Sequence, residues 1–131
     1  MRLVLPTSIT LPRKTKEDKK CQLNLNNFPH WHYQTYQQLK KAFKACVEPQ
    51  MRNIVPVASG AVRLTYTLYH SNNRAVDIPN VLTVVGKFAE DAMVELGVLP
   101  GDSHKVIPEV VYRWGGVDKE NPRVILEIEQ I

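Results

Sequence analysis

The chain has 131 residues, 44% of them hydrophobic and 23% charged, which supplies one core and excludes the composition of a disordered chain. Seventeen Lys and Arg against thirteen Asp and Glu leave a formal charge of +4, which favours polyanions through counterion release without specifying which one. No apolar run reaches the roughly 18 to 20 residues that cross a bilayer, and the opening residues do not form a secretory core. One cytoplasmic domain over residues 1–131 is expected, with no membrane partner.

Arg2 to Leu11 reads as a first strand, apolar at Leu3, Leu5, Ile9 and Leu11 and closed by Pro12. Arg13, Lys14, Lys16, Lys19 and Lys20 then crowd into a basic loop, either a solvated segment or a contact for a polyanion. Beyond Asn26 and Asn27, Tyr36, Leu39, Phe43 and Cys46 or Val47 recur at helical spacing. They define an amphipathic helix of about four turns, with Lys40, Lys41 and Lys44 off its apolar stripe. Val62, Leu64, Tyr66 and Leu68 alternate with more polar neighbours and form a strand that leads into the loop before Asp77.

A second helix is expected from Pro79 to Leu96. Proline suits the first helical position, where its missing N–H has no partner, and Gly97 suits the left-handed cap. Val81, Val85, Phe88, Ala92 and Leu96 form its buried stripe. After a turn at Pro100 to Ser103, Val106 to Trp114 and Arg123 to Ile128 read as two strands joined through Gly115 and Gly116, most simply an antiparallel hairpin. The expected fold is α+β in the order β-α-β-α-β-β, a mixed sheet with two helices packed on it. Cys21 and Cys46 have no CxxC or HxxxH company and are expected to be free thiols.

The polar face of the second helix carries the chemistry. Asn80, Thr83, Lys87 and Asp91 recur at intervals of three or four residues, with Asp77 just before the first turn. Asp77 is also explained by the helix dipole alone, and a Lys and Asp face by solvent exposure alone. Asp102, in the turn after the helix, can return toward the same end of the sheet and join Asp77 and Lys87 in a phosphodiester site. Mg²⁺ between two carboxylates can orient and deprotonate a water, and Lys87 can neutralise charge building on the phosphate. The phosphate-loop and dinucleotide-binding glycine patterns are absent, which disfavours nucleotide hydrolysis and hydride transfer.

On these residues the sequence resembles the RusA-type Holliday-junction resolvases of phages and prophages. The resemblance covers most of the chain and begins with Ser8-Ile9-Thr10-Leu11-Pro12 and Leu23-Asn24-Leu25-Asn26-Asn27. It is most specific at Val76-Asp77-Ile78-Pro79-Asn80, at Lys87 to Met93, and at Leu96 to Val106, which match an Asp-x-Asp-Asn, a helical lysine with Asp-Ala-Leu, and an Asp-Asp turn. It implies a homodimer that binds four-way junctions in branched DNA and, with Mg²⁺ or Mn²⁺ in its place, makes paired nicks; in a phage protein the compartment would be the host cytoplasm. Asp77, Lys87 and Asp102 are then catalytic. Asp77 and Asp102 hold the metal, with Asp91 as first choice for a third carboxylate and Glu90 as second. Arg13, Lys14, Lys16, Lys19, Lys20, Lys40, Lys44 and Asn80 contact DNA.

The sequence departs from the family at two positions. Pro79 stands where the second aspartate would be, and Gly101 replaces the first acidic residue of the turn. The helix also carries about one extra turn, so that counting from its start puts Thr83 rather than Lys87 at the lysine position; threonine cannot supply the charge. A junction-binding module disabled by Pro79, or a nuclease for other branched nucleic acids, is the alternative function. Gly86, in a helix interior, is read as a close approach of DNA or of a partner subunit. His30, Trp31, His32 and Tyr33 point in different directions on a helix and serve either packing or DNA contact. His70 is read as structural, and His104 as structural or as orienting Asp102. Tyr112 and Trp114 share a strand face and are assigned to the core or a dimer interface.

Overall fold

The computed structural model describes all 131 residues, and its strands follow from the period-two pattern of the sequence. A four-stranded mixed sheet is ordered β1-β6-β4-β5, from β1 (Arg2–Leu5), β6 (Arg123–Gln130), β4 (Val62–His70) and β5 (Glu109–Val117). The sheet register aligns the apolar positions in rows: Leu3, Leu126, Tyr66 and Tyr112 form one, and Leu5, Val124, Leu68 and Trp114 the next. Helices α1 (Tyr33–Met51) and α2 (Ile78–Glu95) pack over this face. The opposite face is polar, with Arg63 bridging Glu109 at 2.9 Å and Glu129 at 3.7 Å, and with Arg123 over the Tyr69 ring. The α+β class and the mixed sheet with two helices are as expected.

Three local expectations differ. The first strand divides at Pro6: β1 joins the sheet, while β2 (Ser8–Leu11) pairs antiparallel with β3 (Lys19–Gln22) in a separate hairpin. Proline has no N–H with which to continue a ladder. The basic loop is therefore shorter than its charge run, and Lys19 and Lys20 lie on β3, whose Cys21 is buried opposite Ile9. The last two strands do not form a hairpin. The crossover through α2 lays β5 parallel to β4, and β6 returns antiparallel on the other side of β4, so β4 separates them. Nor do the glycines open a loop, because β5 continues through a bulge to Val117. A Cβ on Gly115 would stand 2.8 Å from side-chain carbons of both Thr67 and Tyr69, so only glycine passes there without displacing them.

Helix α1 runs 19 residues, and its buried stripe is Leu39, Phe43, Val47 and Met51, which selects Val47 over the exposed Cys46. Helix α2 is buried more broadly than one stripe: Leu82, Val84, Ala89 and Met93 join Val85, Phe88 and Ala92, while Val81 and Leu96 are half-buried. It meets the sheet on one side and α1 on another, which widens the apolar arc. Leu96 caps it and Gly97 takes φ +78°, the left-handed turn expected there.

The two edges of the sheet are treated differently. At β1, the Gln50 side chain accepts a bond from the Val4 N–H at 2.7 Å and donates to the Val4 carbonyl at 2.8 Å, which occupies main-chain groups of that edge. At β5 the outer edge is uncovered, and Val110, Tyr112 and Trp114 are each exposed by more than a third, so Tyr112 and Trp114 are not core. Both cysteines are free, and no helix is long and apolar enough to cross a membrane.

Candidate active site

The polar line of α2 meets the turn that follows it. A cavity of about 270 Å³ is lined by Thr83, Lys87, Glu90 and Asp91 from α2, Asp102 from the turn, and Val110 and Tyr112 from β5. The left-handed Gly97 reverses the chain: the Gly97 and Val98 N–H groups donate to the Val94 and Met93 carbonyls, and Val98 and Leu99 are buried. Asp102 is thereby delivered back along the helix to the level of Glu90. The Ser103 carbonyl then accepts from the Val106 and Ile107 N–H groups, which starts the approach to β5.

Glu90 sits deepest in this group. The hydroxyl of fully buried Tyr66 donates to Glu90 Oε2 at 2.8 Å, joining β4 to α2 beneath the cavity. Burial pushes the Glu90 carboxyl above the ordinary carboxylate range; the Tyr66 bond opposes the shift, and the charges of Asp102 and Asp91 add to it. Burial and the Glu90 charge also hold the Tyr66 hydroxyl well above its usual range, so it remains a donor at neutral pH.

A raised carboxyl pKa has a definite sign in stability. Between the unfolded value and the folded one, the native state binds more protons, so stability falls as pH rises through that interval. In the metal-free protein Glu90→Gln is therefore expected to raise stability at neutral pH relative to wild type, with little change in acid below the ordinary carboxylate range. Urea unfolding midpoints in chelator at acid and neutral pH measure this. An equal shift at both pH values would show that Glu90 is not the titrating group.

Gly86 has a packing reason for being glycine. An added Cβ would stand 3.2 Å from Glu90 Oε2 and 3.4 Å from Tyr66 Cζ, so the missing side chain makes room for this buried pair. It is buried on the protein side of α2 and is not a point of approach for DNA or a partner. Gly86→Ala gains about 1 kcal/mol of helix propensity but presses Glu90 Oε2 away by a few tenths of an ångström and so strains its bond to the buried Tyr66 hydroxyl, at a cost of up to about 3 kcal/mol. A net destabilisation of about 1 kcal/mol is expected in urea unfolding. A variant more stable than wild type would show that the pair accommodates the methyl.

The structure brings Lys87, Asp91 and Asp102 together and adds Glu90. It leaves Asp77 outside the cavity: Asp77 is exposed at the start of α2, its side chain makes no capping bond, and Glu90 lies about 20 Å further along the helix rise. Asp91 is engaged by Lys40 at 3.8 Å and by Lys87 at 4.0 Å, and Glu95 by Lys40 and Lys44, both at 3.2 Å. The Lys40 and Lys44 charges thus tie α1 to α2. Asn80 clamps the loop before α1, since both its side-chain and main-chain oxygens accept the Leu25 N–H, at 2.8 and 2.9 Å. Arg13 Nε donates to the Glu17 carbonyl within the hairpin loop, while Lys14 and Lys16 are exposed beside it.

The aromatic run before α1 divides by position. Trp31 is half-buried, edge-on to Phe28 at 5.6 Å and against Phe88 at 6.3 Å, whereas Tyr33 is 76% exposed. Phe28, Trp31, Tyr33 and Tyr36 line a second cavity together with Lys87, which therefore borders both an acidic and an aromatic surface. His70 Nδ1 lies 3.1 Å from the Asn72 carbonyl, a local turn contact, and His104 is exposed after Asp102. Sequence reasoning ranked Glu90 behind Asp91; the apolar residues around Glu90 and Gly86 one turn earlier were the available signal. No protein-family model and no curated protein matches the chain.

Proposed function

We propose that the protein is a Mg²⁺-dependent endodeoxyribonuclease that nicks four-way DNA junctions, working from the cavity of Lys87, Glu90 and Asp102. The observation that carries this reading is that the helical lysine and the aspartate of the following turn, separated in sequence, line one open cavity with two further carboxylates. Lys87 is half-exposed and can reach a phosphate oxygen as negative charge builds on it. The neighbouring aromatic rings offer stacking surfaces to an unpaired base, which a branched substrate supplies and an intact duplex does not.

The donor set fits magnesium rather than a closed metal cage. No three His, Cys, Asp or Glu side chains are grouped to hold an ion. Mg²⁺ needs only one or two protein carboxylates when substrate phosphate and water complete its shell, and Asp102 and Glu90 are those two. When bound, the ion would polarise the phosphate and make water a stronger nucleophile. Lys40 leaves Asp91 partly neutralised, which makes it the weaker donor.

Paired nicks call for two sites related by a two-fold axis, and the uncovered edge of β5 supports a homodimer. Antiparallel self-pairing centred on Val111 would set Glu109 of one copy against Arg113 of the other, with the exposed Val110, Tyr112 and Trp114 on the cavity side. A labelled four-way junction incubated with protein and Mg²⁺ or Mn²⁺ tests the activity, and symmetric nicks are expected. Binding without nicking at any divalent-metal concentration would replace the enzyme by a junction-binding module. Cutting of flaps or hairpins in preference to junctions would change the substrate.

A further inference from the structure

Away from the acidic cavity, a second concave site of about 410 Å³ is enclosed by four segments: the β2–β3 hairpin, the end of β4, the start of α2 and the β5–β6 connection. Lys20, Lys119, Ser8, Ser71 and His70 line it, with Glu120 as its one carboxylate. Unlike Lys40, Lys44 and Lys87, neither Lys20 nor Lys119 is within an ion pair. Two ammonium groups thus come to one concavity from elements distant in sequence against a single carboxylate, which leaves a net positive lining, with serine hydroxyls in the same wall. His70 is held through Nδ1 by the Asn72 main chain, which leaves Nε2 as its free ring nitrogen.

We infer that this cavity binds a phosphate monoester of nucleotide size. Ammonium point charges and rotatable hydroxyls can satisfy a tetrahedral anion from several directions, as lysine does where it binds phosphate as a point charge. The volume exceeds that of a bare phosphate and falls within the usual range for small-molecule sites, so the attached sugar and base have room. The monoester can come from a free mononucleotide or from the 5′ end of a DNA strand. The inference does not rest on nuclease activity, because it uses none of the residues of the acidic cavity.

Calorimetric titration of the full chain with thymidine 5′-monophosphate, a 5′-phosphorylated dithymidine dinucleotide and its dephosphorylated counterpart tests it. Both phosphorylated probes are expected to bind about tenfold more tightly than the dephosphorylated one, the scale of a charged hydrogen bond. The exposed double replacement Lys20→Ala, Lys119→Ala should remove that difference, whereas Lys41→Ala, Lys105→Ala, exposed and outside the cavity, should preserve it. Equal affinity for the two phosphorylated probes identifies the free nucleotide as sufficient, and tighter binding of the dinucleotide identifies a strand end. Equal binding with and without phosphate, or a Lys20/Lys119 variant that behaves as wild type, overturns the proposal.

Discussion

Lys87→Ala is expected to lower junction nicking by about 10²–10³-fold while leaving the affinity for uncut junction within about threefold. The two effects separate because Lys87 faces the cavity but contributes little to the fold. Its side chain is half-exposed, and its contact with Asp91, at 4.0 Å, is the weak kind of surface pair. Lys40 still faces Asp91 in the variant, so no carboxylate is stranded. Asp102→Asn should show the same separation, since it removes a proposed metal donor from an exposed turn and nothing from the core. Single-turnover rates and junction binding on the same preparations measure both. If Thr83→Ala abolishes nicking and Lys87→Ala does not, the positive charge is supplied from elsewhere and the lysine has been misplaced on the helix. Asp77→Asn is the informative companion: a loss equal to that of Asp102→Asn would require Asp77 to act at a site outside its own protomer's cavity.

The legible part of this fold was the part written in periodicities. The alternation at Val62 to Leu68 and the spacing of Leu39, Phe43 and Val47 have one physical solution each, and the structure has β4 and α1 there. Gly97 could be read because a left-handed cap needs glycine. Pairing was not legible, because it is decided between distant segments: nothing local to Val106–Ile128 shows that β4 lies between the last two strands. The charge run hid β3, whose only buried residue is Cys21. At the site, helical spacing placed Lys87 and Asp91 on one face, and the turn residues brought Asp102 back. Glu90 was harder to rank because its importance comes from Tyr66, a residue on another element, and from the space left by Gly86.

The largest loss of stability is expected at Phe88, which follows Lys87 on α2 and turns about 100° from it into the core. Its ring is 1% exposed and lies 5.6 Å from Phe43, 5.7 Å from Tyr36 and 6.3 Å from Trp31. These contacts join α1, α2 and the loop before α1 through a single side chain. Phe88→Ala should cost about 3–5 kcal/mol, the range for a buried aromatic that leaves a cavity. That is a large fraction of the about 5–15 kcal/mol that stabilises an ordinary domain. Phe88→Leu keeps much of the volume and should cost less, so the pair separates cavity formation from loss of aromatic contacts. Urea unfolding measures both; a Phe88→Ala loss below about 1 kcal/mol would mean that α1 closes onto α2 without the ring. Because Trp31 and Tyr36 form the aromatic surface beside Lys87, the Leu variant should also weaken binding of a junction with unpaired bases more than binding of duplex. The same packing that holds the two helices together would then set the shape of the surface proposed to meet the substrate.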